Sequence, residues 1–386
     1  MIEGNYDHDN RLPMSEQGTQ FNGVQLNRRK FLKGSAAALS GFALSSCGWR
    51  LADVKPTARR TSTDTLYIYT WAGYTDDALL KQFEAETGIR AIADVFDSNE
   101  AMLARIQAQG GGDYSIIYPS DYIVQEMIDL ELLQELDHSQ INGLDNLFET
   151  FTDPGYDPGN SYSIPISWGT TGLIYNKSAL DEAPTDWNYL WDNADKLQRR
   201  MTLLNDVREV LGASLKSLGY SYNSTEEAQV KAAYERLVEL RPAIASFNSD
   251  AWRTQILSGD LLVAMCYSSD ANEITEEDDN FAYVVPSSGS SVWADTLVIP
   301  RTAPNVPGAY AWMSFMMRAQ VSAEITQRLS FATPNRPGYE LLPEDVRTNP
   351  NLFPSSETID RCEGLKPLGE EVGEIYDRYW TKLTSG

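Results

Sequence analysis

The sequence predicts an α/β protein of two lobes. Three observations carry that reading. From residue 65 onward, short β-branched and aromatic runs alternate with helix-length amphipathic runs. Such alternation implies a mostly parallel sheet with helices on both faces. One loop rich in Pro, Gly and Asp, "FTDPGYDPGNSY" at 151–162, interrupts the alternation, which then starts again.

The elements follow in order. "TLYIY" (65–69) reads as a strand. The next run places Ala78, Leu79 and Phe83 near helical spacing and stops at Gly88. "IRAIADVF" is a strand, and "SNEAMLARIQAQGGG" is a helix capped by Ser98 and ended by glycines. "YSIIYPS" reads as a buried strand and "YIVQEMIDLELL" as a helix. After the loop, "SIPISWGTTGLIYN" is a strand interrupted at Gly169. The second set runs through "RMTLLN", "DVREVLGASLKSLG", "STEEAQVKAAYERLVELRP" and "LLVAMCYSS". "AYVVPSSGSSVWADTLVIP" reads as two strands around a Ser/Gly turn, and helical segments close the chain.

The N-terminal segment has a different composition. "NRRKFLK" (27–33) followed by "GSAAALSGFALSSC" (34–47) has the basic, apolar and small-residue order of an export signal. Arg28 and Arg29 resemble a twin-arginine signal, with Asn27 where Ser or Thr is usual. "LSSC" (44–47) resembles a lipobox, which implies Cys47 as a lipidated mature N-terminus. Residues 1–46 are therefore read as signal and 47–63 as a tether. Protein of this kind is expected in the periplasm, anchored to the membrane by lipid.

Charge narrows the partners. The chain of 386 residues carries a formal net charge of −24. Such a surface repels nucleic acid and steers cations inward. Of two histidines, His8 lies in the leader, leaving His138, read as a surface residue. That argues against a histidine-rich metal site or a Ser-His-Asp triad. No P-loop is present, and no cofactor or metal is expected. Cys266 and Cys362 are read either as a disulfide or as two buried thiols.

Aromatic rings and carboxylates recur at strand ends, where ligands gather in open α/β sheets. "YTWAGYTDD" offers Trp71 and Tyr74, "YPSDY" offers Ser120 and Tyr122, and "DVRE" offers Asp206 and Glu209. Tyr267 follows "LLVAMC", and "VWADT", before the last strand, supplies Trp293 and Asp295. Rings flanking methylenes and facing ammonium groups, together with carboxylates accepting from them, suit a slender organic cation. Each feature has an ordinary alternative. Trp71, Tyr74 and Trp293 fit a core, and Asp206-x-x-Glu209 has the spacing of a helix cap with its reciprocal partner. Arg208 is read as a surface or salt-bridge residue.

The ordered set "LYIYTWAGYTDDALLKQFEAETGI", "YPSDYIVQEMI", "YSIPISWGTTGLIYN", "LLNDVREVLGASLKSLGYSYN", "FNSDAW", "VWADTLVIP" and "ATPN" resembles the spermidine/putrescine-binding proteins of bacterial ABC importers. The resemblance runs from about residue 64 to 384. It implies a two-lobed, type II periplasmic binding protein fold with the ligand cleft between the lobes. The implied lobes are 64–168 plus 294–338 and 169–293 plus 339–386. It also implies a cleft lined by Trp71, Tyr74, Ser120, Tyr122, Asp206, Glu209, Trp293 and Asp295. Tyr267 stands where the family has Trp, and Phe331 where it has Tyr. Ala72 and Gly73 replace polar and acidic family residues, and Lys366 falls near a family amide contact. The implied protein is a non-enzymatic, monomeric binder that captures polyamine and delivers it to importer membrane subunits. Alternatives in the same fold are binders of another organic cation, an amino acid, a sugar or ferric iron. A hydrolase using paired carboxylates, or a ligand sensor, belongs to other classes.

Overall fold

The computed structural model describes residues 64–108 and 113–385. The twin-arginine segment, Cys47 and the tether fall outside the described residues. Helices of eight residues or more are numbered below.

The first half begins β1 (Thr65–Trp71), α1 (Asp77–Thr87), β2 (Arg90–Phe96), α2 (Asn99–Ala108), β3 (Ile116–Ile117) and α3 (Asp121–Asp129). Asp76 accepts from the Leu79 N–H to start α1, and Gly88, at φ 73°, ends it. The expected seven-residue strand "YSIIYPS" contributes only two ladder residues. Beyond Ile117 the pairing continues only as isolated contacts, with the Tyr118 N–H on the Tyr69 carbonyl and a single antiparallel bridge from Ser120 to Asp295, before the chain turns into α3.

β4 (Ser163–Asn176) is the longest strand. Then come β5 (Met201–Leu203), α4 (Val207–Ser217), α5 (Glu227–Leu240), β6 (Ile244–Phe247), β7 (Val263–Tyr267) and α6 (Ser268–Glu277). β8 (Phe281–Val284), β9 (Ser291–Val298), α7 (Val306–Met316), α8 (Ala319–Leu329), β10 (Glu363–Gly364) and α9 (Glu370–Thr384) complete the order.

The strands run β2-β1-β3-β9-β4-β7-β5-β6, with β10 on β9 and β8 on β4. Pairings at both flanks are parallel, as the alternation predicts. The centre is antiparallel: β9 pairs β3 and β4, and β4 pairs β7 and β8. The expectation of a mostly parallel sheet is thus corrected at its middle. β9 runs back against both β3 and β4, and β4 runs back against β7 and β8, so the direction of the chain reverses at the middle of the sheet.

Gly169 does not interrupt β4; the strand continues through it. β4 pairs β9 over residues 163–170 and β7 and β8 over 171–176. One apolar cluster gathers Ile68, Phe83, Trp312 and Phe331 around β1 and α7. A larger one joins Phe96 and Tyr122 to Leu203, Leu237 and Tyr376. Both Cys266 and Cys362 carry free thiols. His138 is exposed, with its Nε2 at 2.8 Å from the Asn160 carbonyl.

Candidate functional site

The site is organised by β9. Ser291, Trp293 and Asp295 are two residues apart, so all three side chains leave one face of the strand. Trp293 and Asp295 therefore lie within a strand, not in a loop before it. Their cross-strand partners on β4 are Gly169 for Trp293 and Ser167 for Asp295. A Cβ at Gly169 would lie 2.5 Å from both the Ser268 Oγ and the Trp293 ring. Glycine there makes room for the indole.

At one end of the row, Asp295 is 4% exposed and fully hydrogen-bonded. The Tyr74 hydroxyl donates to its Oδ2 and the Ser120 hydroxyl to its Oδ1, at 2.6 Å in the second case. Ser167 donates to Tyr74 at 3.4 Å. Burial pushes Asp295 up to about 6, and the Ser120 and Tyr74 hydrogen bonds hold it from rising further. Tyr74 comes off a turn in which Gly73 has φ 78° and the Tyr74 N–H meets the Trp71 carbonyl at 3.4 Å. Positive φ at the third turn position is where glycine is wanted. Phe331 stacks on Tyr74 at 4.1 Å and supplies only a ring, while Trp71 packs against Phe96 at 4.4 Å.

At the other end, Asp206 caps α4, its Oδ1 accepting from the Glu209 N–H at 3.0 Å. The reciprocal half of the capping box is not formed. Glu209 turns away, and the Ser291 hydroxyl lies 2.9 and 2.8 Å from its two oxygens. Glu209 is pushed up to about 8 by burial and then by the charge of Asp206. Burial also raises Asp206, against the Glu209 N–H and the charge of Arg208. The Tyr267 hydroxyl donates to Asp206 Oδ2 at 3.2 Å, and its ring meets Trp293 edge-on at 5.7 Å. A tyrosine thus keeps the wall and adds a hydrogen bond.

Tyr122 joins the two halves. Its hydroxyl accepts from Asn99 at 3.1 Å and donates to Glu100 at 3.0 Å. The Arg208 guanidinium lies over its ring at 5.3 Å. Arg208 is buried, which corrects the surface reading. Its donors go to the Lys366 carbonyl at 3.0 Å and to Asn223 at 3.2 Å. Lys366 itself is exposed, and only its backbone touches this region, its N–H donating to Asn223 at 2.8 Å.

Sequence reasoning missed two carboxylates. Asp121 is buried and accepts from the Tyr122 and Ala294 N–H groups at 2.8 and 3.2 Å. Burial chiefly pushes it up to about 8, with a contribution from Asp295. Glu100 keeps solvent-accessible surface, yet the protein around it and then Asp206 push it up to about 7. Both stand in the first turn of a helix following a strand end, the same signal that marked Ser120 and Asp206.

Two indole N–H groups in this region, those of Trp71 and Trp293, are buried without a partner, as is the Tyr156 hydroxyl. Rings and excess carboxylate around one strand face make a site for an organic cation. A separate cavity of about 350 Å³, bordered by Leu180, Asp181, Tyr189 and Lys196, shares none of these groups.

The family model for bacterial extracellular solute-binding proteins matches residues 78–354, more than half of the chain. The chain belongs to this family. A spermidine/putrescine-binding periplasmic protein of Salmonella typhimurium is 34% identical over 330 residues, covering 85% of this chain and 94% of the relative. Among solved structures, a spermidine/putrescine ABC transporter substrate-binding protein from Streptococcus pneumoniae is 36% identical. It superposes with a TM-score of 0.72 over 83% of this chain and 99% of its own. A lipoprotein of Treponema pallidum is 26% identical, with a TM-score of 0.74 over 84% and 100%. This solute-binding protein therefore has the periplasmic binding protein fold that the resemblance implied. Among its described residues no helix is long and apolar enough to cross a membrane.

Proposed function

We propose that this solute-binding protein captures a linear polyamine and hands it to the membrane subunits of an ABC importer, without catalysing a reaction. The observation that carries the reading is the β9 row. Carboxylates stand along it at Asp295 and at Glu209, with Asp206 beside the latter, and Trp293 lies between. Two strand steps separate Ser291 from Trp293 and two more reach Asp295, about 13 Å in all. An extended chain with ammonium groups at intervals fits such a row better than a compact cation. Each ammonium would gain about 1.5–3 kcal/mol from a charge-assisted hydrogen bond, and each ring face about 0.5–2 kcal/mol. Relatives whose names give spermidine and putrescine support the ligand class.

Within this reading, Trp71, Tyr74, Ser120, Tyr122, Tyr267 and Phe331 line the cleft with the carboxylates, and Lys366 stays at its edge. The lobes are 64–168 plus 294–338 and 169–293 plus 339–386. The change of partner along β4, from β9 to β7 and β8 beyond residue 170, supports a boundary there. The protein works as a monomer, since a clamp needs both lobes free. Cys47 anchors it by lipid in the periplasm, a reading that rests on "LSSC" and finds support in a lipoprotein relative.

The test is calorimetric titration of the purified protein with putrescine and spermidine, after unfolding and refolding to strip carried-over ligand. Micromolar or tighter binding is expected. No heat with either ligand, from protein shown to have refolded, would move the search to other organic cations and amino acids.

A further inference from the structure

The turn that carries Tyr74 has little hold of its own. Ala72 is exposed, a Cβ at Gly73 would meet nothing within 4 Å, and the Tyr74 N–H reaches the Trp71 carbonyl only at 3.4 Å. The turn is braced instead from α8. Asp76 follows Tyr74 by two residues and accepts twice from Arg328, with Nε 2.7 Å from its Oδ2 and Nη2 3.1 Å from its Oδ1. A planar guanidinium fork on a carboxylate fixes direction as well as distance. The same Asp76 also accepts from the Leu79 N–H and starts α1.

Arg328 stands in the last turn of α8, and the residues after it reach the same jaw. Ser330 ends the helix at φ 57°, a left-handed conformation that a non-glycine residue keeps only where its surroundings impose it. Its hydroxyl accepts from the buried Asn272 at 3.3 Å. Phe331 then lies on the Tyr74 ring at 4.1 Å. One short stretch thus grips Tyr74 by its ring and, through Asp76, by its backbone. The far end of that side chain, the hydroxyl, donates to Asp295.

A second ion pair joins the same two helices and serves as a comparison. Arg318, before the start of α8, donates to Glu86 near the end of α1 at 2.6 Å. Its side chains are 42% and 40% exposed, against 36% and 30% for Arg328 and Asp76. It lies about 15 Å further along α1, away from Tyr74.

We infer that Arg328 is a positioning residue for ligand binding: through Asp76 it holds the strand-end turn so that the Tyr74 hydroxyl stays on Asp295. The inference rests on the polyamine reading and deepens it, because it names what fixes one wall of the cleft.

The experiment is calorimetry with putrescine and spermidine on the wild-type protein and on R328A, R328K, D76N, Y74F, E86Q and the double variant R328A/Y74F. Asparagine caps a helix as well as aspartate does, so D76N removes the ion pair and keeps the start of α1. R328A and D76N are each expected to weaken both ligands by about 3- to 10-fold, and Y74F by at least as much. R328K should recover only part, since an ammonium cannot form the fork. In the Y74F background R328A should cost less than about 2-fold, because the hydroxyl it positions is gone. E86Q removes the matched pair and should bind as the wild type does. Full additivity of R328A with Y74F, a loss in E86Q equal to that in D76N, or wild-type affinity in R328A and D76N overturns the inference and leaves the polyamine reading standing. A wild-type protein that binds neither ligand overturns both.

Discussion

Asp295 and Glu209 stand at opposite ends of one strand face, and both are buried, yet they are held in different ways. Asp295 accepts from two separate hydroxyls, Tyr74 and Ser120, and is pushed only to about 6. Glu209 has one serine hydroxyl across its two oxygens and a second carboxylate beside it, and is pushed to about 8. The first end is preorganised for a cation. The second end is relieved only in part by the charge of Arg208, and a further cation is favoured there, because two neighbouring carboxylates in a poorly solvated place resist being ionised together. Hydroxyl donors lower the cost of a buried charge. Like charges raise it, and that excess is returned when a cation arrives.

The largest effect should come from the preorganised end. Asp295→Ala leaves two oriented hydroxyls and a ligand ammonium without their acceptor. Removing one partner of a buried charged pair costs about 3–5 kcal/mol, or roughly a 10²- to 10⁴-fold loss of affinity. Calorimetry on folded variant reads this directly, and a loss below tenfold would mean that the row is not the binding surface.

Glu209→Gln sharpens the contrast, because it should move affinity and stability in opposite directions. Affinity for polyamine should drop by about 10- to 100-fold with the lost charged acceptor. The ligand-free protein should become more stable at pH 8, since Asp206 then has no charged neighbour in Glu209. The sign follows from the protons held. Glu209 moves from 4.5 to about 8 and Asp295 from 3.8 to about 6, so the folded state keeps protons that the unfolded chain has released. Ligand-free stability is therefore highest below about pH 4 to 5 for these groups and declines as pH rises toward 8. Thermal unfolding across that range should show the decline in wild type, a flatter curve in the variant, and a stabilisation by ligand that grows with pH. A wild-type curve that rises over the same window would contradict the assignment.

Gly169→Ala tests the packing on which the row depends. The new methyl meets the Trp293 ring and the Ser268 hydroxyl, and forced overpacking of this kind costs about 1–3 kcal/mol of stability. A melting temperature equal to wild type would show that the indole can shift freely. The smallest change is Tyr267→Phe. It removes the hydrogen bond to Asp206 but keeps the ring against Trp293, so affinity should fall by no more than about tenfold and stability by about 1 kcal/mol.

Much of this was legible in the chain, for reasons that can be stated residue by residue. Gly88 and Asp76 bound a helix because a left-handed cap and an N-cap oxygen act within one turn. Asp206 announced both a cap and a site, and does the first through the Glu209 N–H. The side chain of Glu209 could not be assigned in advance. Its partner, Ser291, is 82 residues away and meets it only through the fold. Arg208 looked like a surface residue because its neighbours, Tyr122, Asn223 and Lys366, come from three distant segments. Glu100 was overlooked because a glutamate in the first turn of a helix has an ordinary explanation in the helix dipole.

By itself, the sequence determined the alternation of strands and helices, the turns that end them, the acidic balance, and which strand ends carry rings and carboxylates. All of these are local, set by spacing, turn chemistry and composition. The tertiary structure alone decided the antiparallel centre of the sheet and the meeting of Tyr74, Ser120 and Asp295. It also decided the burial of Arg208 and the separation of the carboxylates into one satisfied and one frustrated pair. Those features depend on the register of β9 against β4, where residues more than a hundred positions apart face each other and a shift of one residue would turn Asp295 to the opposite face.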